Sequence, residues 1–232
     1  MTNPPYHIRR NSLGGETLCL PTGSDFQALP MTFLEPFAKI LTPHHVSIHR
    51  NTREYLTWLA RRARINSLRS WLLAMASTAQ CELRFHQVSL GPSVQRDVTV
   101  RCFCDEGKRF HEFRLSVHQP LFDLPTALQD VYELIDGTIE SDCFEAGGLN
   151  PFSQLRYADD SYAYDSDAIP AGEDISWFYT ANNGDQLFTR EAEVYWYYHE
   201  DSSVKRVGDL TDVIDSYFTS LLTGSDWQST LN

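Results

Sequence analysis

No run of purely apolar residues in this chain is longer than the six of residues 71–76. A membrane-spanning helix needs about 20 consecutive apolar residues. A helical span is therefore excluded, and the core must be assembled from short amphipathic elements separated by turns. The 232 residues suffice for one large domain or two small ones. Hydrophobic residues at 42% and charged residues at 22% give the balance of a globular protein, not a disordered or fibrous one. The first thirty residues hold no continuous apolar stretch of the signal-peptide kind, which argues against secretion. The five cysteines are odd in number and have no paired spacing, so they read as thiols of a reducing, cytoplasmic compartment.

Residues 1–43 carry Pro4, Pro5, Pro21, Pro30, Pro36 and Pro43 among Gly14, Gly15 and Gly23. Such punctuation breaks helices and central strands, so this segment reads as extended chain with a short helical turn over 33–41. A single long helix is expected from Asn51 or Thr52 to residue 75, with Glu54 in its first turn. Tyr55, Leu56, Leu59, Ala63, Leu68, Leu72, Leu73 and Met75 would form its apolar face. Its polar face carries Arg53, Arg61, Arg62, Arg64 and Arg69. Three β-like stretches follow at 82–90, 96–104 and 110–117, separated by Gly91-Pro92 and Asp105-Glu106-Gly107. They read as an antiparallel meander.

After Pro120 the composition changes. Leu124-Pro125 opens a helix with Leu128, Val131, Tyr132, Leu134 and Ile135 on one face, and Asp136-Gly137 is expected to end it with glycine at C′. Strands are expected at 175–180, 186–189 and 194–198, the first two joined by Asn182-Asn183-Gly184-Asp185, a hairpin turn signal. Asp209 or Thr211 caps a closing helix whose apolar side holds Leu210, Val213, Ile214, Tyr217, Phe218, Leu221 and Leu222. The class is α+β.

Charge divides the chain sharply. Residues 1–120 carry 15 Lys and Arg against 9 Asp and Glu, a net +6; residues 121–232 carry 4 against 22, a net −18, and the halves sum to −12. A field of that sign repels phosphate backbones and steers toward a basic partner. The basic helix would then turn its arginines to the acidic half, so residues 44–120 and 121–232 are expected to form one compact unit behind the 1–43 segment.

The order Leu124-Pro125, Leu128, Tyr132 and Asp136-Gly137, then strand–Asn183-Gly184-Asp185–strand, then Ala192-Glu193-Val194-Tyr195 with His199 and a closing Tyr217-Phe218 helix, resembles the SUKH superfamily. That superfamily includes bacterial immunity proteins and the yeast cell-wall-assembly regulator. The resemblance covers about residues 121–224. Alanine stands at 192 where the family pattern has glycine, and the first half lies outside it. The resemblance implies a bent, largely antiparallel sheet backed by helices, with the N-terminal helix and meander added to it. It also implies a binding role, most often neutralisation of a toxin delivered by a neighbouring cell.

Signals for catalysis and metals are weak. His44, His45 and His49 give a metal-like spacing without the intervening glutamate of a metalloprotease, and Pro43 suggests that the helix starts later. Cys102, Cys104 and His111 make a loose three-ligand possibility. There is no G-x-S-x-G elbow, phosphate loop or calcium loop. No enzyme, cofactor or metal is expected. The segment holding Tyr157, Asp159, Asp160, Tyr162, Tyr164, Asp165 and Asp167, with Glu173 and Asp174 beyond it, is different. Rigid aromatics ringed by carboxylates suit a Lys/Arg-rich protein surface, and these nine residues are the expected toxin-binding site. The expected function is that of a cytoplasmic immunity protein occluding a basic, nuclease-like toxin, without nucleic acid or membrane as partner. The alternative is a non-inhibitory scaffold or regulator.

Overall fold

The computed structural model describes residues 6–10, 15–25, 29–77, 80–90, 93–104, 109–116, 124–140, 147–155 and 175–231. The chain divides into two compact units, residues 1–61 with 72–117 and residues 62–71 with 118–232. The fold is α+β, with antiparallel sheets backed by helices. Among the described residues no helix is long and apolar enough to cross a membrane.

In the first unit, β1 (His7–Arg10), β2 (Glu16–Pro21), β3 (Cys81–Leu90), β4 (Ser93–Cys104) and β5 (Arg109–Leu115) pair in chain order, each antiparallel to the next. One face is apolar: Leu18, Leu20, Leu83, Phe85, Val98, Val100 and Phe113 are buried, and Phe37 meets Phe85 edge-on at 5.4 Å. Burying such side chains stabilises by about 1.5–3 kcal/mol each. The helices are α1 (Met31–Leu34), α2 (Pro43–Arg50), α3 (Thr52–Arg62) and α4 (Asn66–Ser77), whose first half belongs to the second unit.

Three expectations for this half are corrected. The single helix expected up to residue 75 is two, broken at Ala63, Arg64 and Ile65. Arg69 reaches back across the break and donates Nη2 to the Ala63 carbonyl at 2.6 Å, satisfying an acceptor that the helix end leaves free. The helix over the histidines starts at Pro43 itself, because proline at the first helical position loses no hydrogen bond, and Thr42 with His45 closes a capping box. The cysteines are not all thiols. Cys81 and Cys102 sit directly opposite each other on β3 and β4, Cα atoms 4.1 Å apart, and form a disulfide, while Cys19 stays a buried thiol. Only the strand register brings that pair together.

The second unit contains α5 (Thr126–Tyr132), β6 (Ile135–Ile139), β7 (Gly148–Leu149), β8 (Ile175–Thr180), β9 (Gln186–Arg190), β10 (Glu193–Tyr198), β11 (Ser203–Asp209) and α6 (Leu210–Thr223). Its sheet runs β11-β10-β9-β8-β7. Asp209 is the N-cap residue of α6, and Gly224 closes it in the left-handed conformation. Asp136-Gly137 does not end α5, which stops at Tyr132. Gly137 lies inside β6 with φ +89°, where a Cβ would strike the Leu149 carbonyl oxygen, so close approach of β6 and β7 sets the requirement for glycine.

The core of this unit is aromatic. Trp177 packs with Ile175, Phe188 and Tyr197, and Trp71 on α4 meets Phe218 on α6 at 5.2 Å. Tyr179, Tyr217 and Trp227 form a second cluster with centroids 4.7–5.8 Å apart. Leu128, Tyr132 and Trp177 are buried, and Leu221 is half-buried. Of the expected arginine contacts, Arg64 delivers one: its Nη1 lies 2.8 Å from Asp130 Oδ1 on α5.

Candidate functional site

Tyr157, Asp159, Asp160, Tyr162, Tyr164, Asp165, Asp167, Glu173 and Asp174 all lie outside the described residues. The two ends that carry this segment are well defined. Leu155, at the end of the 3-10 turn Phe152–Gln154, is buried, and its carbonyl accepts a hydrogen bond from the Trp177 backbone N–H at 2.8 Å. Phe152 N–H donates to Asp136 Oδ1 at 2.6 Å, and Asn150 N–H to the Phe178 carbonyl at 2.9 Å. Leu155 and Trp177, on either side of the segment, are thus joined backbone to backbone.

The turn that marks the family resemblance has a structural explanation. Asp185 Oδ1 accepts the His199 backbone N–H at 3.0 Å and lies 2.9 Å from its ring Nδ1, while Asn183 Nδ2 donates to Asp185 Oδ2 at 2.8 Å. The β8–β9 hairpin is therefore tied to the end of β10. Nearby, Arg206 bridges Glu193 at 2.9 Å and Asp209 at 3.2 Å on the exposed β10–β11 edge. At the end of β6, Glu140 takes a hydrogen bond from the Tyr179 hydroxyl at 3.1 Å. Burial raises the Glu140 carboxyl above its ordinary range, against the opposing pull of hydrogen bonds from Tyr217 and Tyr179.

The two metal possibilities read from sequence both dissolve. His45 Nδ1 caps α2 through Thr42 N–H at 3.1 Å, His49 Nε2 donates to the Ser24 carbonyl at 2.9 Å, and His44 Nδ1 meets the Tyr55 hydroxyl at 2.8 Å. Three histidines thus serve three separate structural bonds. Cys102 has its sulfur in the disulfide and has none left for a metal shared with Cys104 and His111.

The site that the sequence reading missed is the other face of the first unit's sheet. Thr17, Glu82, Arg84, His86, Thr99, Arg101 and Glu112 are all buried there. Glu112, on β5, is the hub: Arg84 Nη1 lies at 2.6 Å, Arg101 Nε at 2.7 Å and His86 Nε2 at 3.1 Å, and the Thr99 hydroxyl also donates to it. Thr17 Oγ1 stands 3.0 Å from His86 Nδ1, and the Arg101 guanidinium lies over the Phe110 ring at 3.6 Å. Burial alone would raise the Glu112 carboxyl; the hydrogen bond from His86 and the guanidiniums of Arg84 and Arg101 outweigh it and hold the group well below the usual carboxylate range. A hydroxyl–imidazole–carboxylate chain has the order of a nucleophile relay. Here its carboxylate is already matched by two guanidiniums, so it fixes the imidazole without being a ready proton acceptor. The available signal was the alternation Glu82, Arg84, His86 on a strand whose intervening residues, Leu83 and Phe85, are also apolar and buried.

No family model matches this chain, and neither a curated protein nor a solved structure matches it.

Proposed function

We propose that this protein is a binding protein of the immunity type, which neutralises a basic, nuclease-like toxin by covering its active surface with the acidic half. The observation that carries the reading is the charge division: a net −18 in residues 121–232 against +6 in residues 1–120. A cationic enzyme groove is drawn to such a field and selected by it. The motif order over residues 121–224, resembling the SUKH superfamily, supports the same reading, with the Tyr/Asp residues between Leu155 and Ile175 as the contact segment. Cytoplasmic action belongs to this reading, and the Cys81–Cys102 bond weighs against it, because disulfides are rare where thiols are kept reduced.

The test is survival of cells making a candidate toxin beside variants of this protein, with kinetics on the purified pair. Reversing Asp159, Asp160 and Asp165 to lysine is expected to slow association sharply and to flatten its salt dependence. Changing Tyr162 or Tyr164 to alanine is expected to speed dissociation. Protection and association unchanged by the triple reversal would remove this segment from the interface.

A further inference from the structure

Strands β1, β2 and β3 bring His7, Cys19 and Glu82 together on the polar face of the first unit's sheet. His7 is the direct partner of Cys19, and Cys19 is the direct partner of Arg84. Glu82 precedes Arg84 by two residues and therefore shares its face. An imidazole nitrogen, the Cys19 Sγ and a Glu82 carboxylate oxygen all lie within 4.8 Å of one another, the one such convergence of His, Cys, Asp and Glu donors found among the described residues.

A second observation points to a ligand. Glu82 is only 4% exposed, yet its Oε1 is enclosed without a hydrogen bond, and the Arg84 Nε stands off at 3.6 Å. Arg84 instead commits its Nη1 to Glu112 at 2.6 Å. A buried carboxylate oxygen left in this state is costly, and a cation seated between Glu82, Cys19 and His7 would satisfy it.

We propose that His7, Cys19 and Glu82 are the ligands of a divalent transition-metal ion of the zinc class. The donor set mixes a soft thiolate, an imidazole and a carboxylate, a combination that zinc and cobalt(II) accept and that magnesium or calcium does not favour. Cys19 releases its proton to solvent as the metal–sulfur bond forms. Thiolate and carboxylate together then balance the dication. Metal–ligand bonds of about 2.0–2.3 Å place tetrahedral donors roughly 3.3–3.8 Å apart, within rotamer adjustment of the present spacing. His7 is exposed, so the ion has an entry path from solvent. Three protein ligands leave a fourth position for water. The site is independent of toxin binding.

Cobalt(II) is the probe, added to the full chain after chelator treatment and without reductant, so that the Cys81–Cys102 bond stays closed. One equivalent is expected to bind with a thiolate-to-cobalt charge-transfer band that zinc abolishes. Cys19→Ser is expected to lose the band. His7→Ala changes an exposed residue and leaves folding intact, and is expected to weaken cobalt binding by at least about tenfold, the scale on which even outer-shell partners act. The absence of a band from the folded parent would overturn the proposal. So would a band that persists in Cys19→Ser, which would place the metal on Cys104 or Cys143, or an affinity unchanged by His7→Ala.

Discussion

Each unit of this protein withdraws a glutamate from solvent, Glu112 fully and Glu140 in part, and the two do so in opposite ways. Glu112 in the first unit is 1% exposed and is surrounded by Arg84, Arg101, His86 and Thr99, so its charge is kept and its carboxyl is held far down. Glu140 in the second has the Tyr179 and Tyr217 hydroxyls beside it, and burial shifts its carboxyl upward from the ordinary range. A guanidinium offsets desolvation by opposite charge, whereas a phenol offers only a hydrogen bond. The same side chain is therefore shifted down beside guanidiniums and up beside phenols. The rest of each unit follows the same division: the first spends a whole sheet face on ions, and the second fills its core with tryptophan, tyrosine and phenylalanine.

The largest effect expected is at the hub. Glu112→Gln leaves two buried guanidiniums without their counter-ion and should lower the stability of the first unit by about 3–5 kcal/mol, as breaking a buried pair does. Chemical unfolding followed on β4 amides measures it. A loss under about 1 kcal/mol would mean that solvent reaches Arg84 and Arg101. In the second unit, Phe218→Ala should cost about 3–5 kcal/mol by opening a cavity beside Trp71, and this loss should be independent of pH, unlike the first.

Acid titration separates the units by sign. His45 is depressed from 6.5 to about 4, by burial first, so its folded state favours the neutral ring. The stability it contributes is complete above pH 6.5 and is lost as the pH falls toward 4. Glu112 adds a further loss below about pH 4.5, because its folded value lies beneath the ordinary one. Glu140 runs the other way: its contribution is full below about pH 4.5 and declines as the pH rises through its raised value. Hydrogen exchange across pH 4–7 should show β4 amides losing protection in acid while amides of β8 do not follow. Parallel loss in both would erase the contrast. The smallest effect belongs to Glu140→Gln, which at neutral pH should change stability by no more than about 1 kcal/mol, in either direction, while removing the decline on the alkaline side. Thermal unfolding of parent and variant at pH 5 and pH 7.5 tests this.

Local signals carried well where the physics is local. Period-2 alternation marked β3, β4 and β5, and Asn183-Gly184-Asp185 marked the β8–β9 hairpin, because a left-handed glycine and a turn-locking aspartate act within a few residues. β11 was missed because its residues are mostly exposed and carry no apolar alternation; it is held by its pairing to β10. The helix break at residues 63–65 was invisible because the apolar period continues through it. The expected contact segment is legible as composition, and its nine residues lie outside the described residues.

By itself the sequence determined the α+β class, the positions of most strands and both later helices, and the division of charge. Each depends on side-chain periodicity, turn chemistry or simple count, quantities read along the chain. Tertiary structure alone decided that Cys81 meets Cys102, that Glu112 gathers Arg84, Arg101 and His86, and that His7, Cys19 and Glu82 converge. Those groupings depend on which strand pairs with which and in what register, and a shift of one residue would turn every one of these side chains to the opposite face.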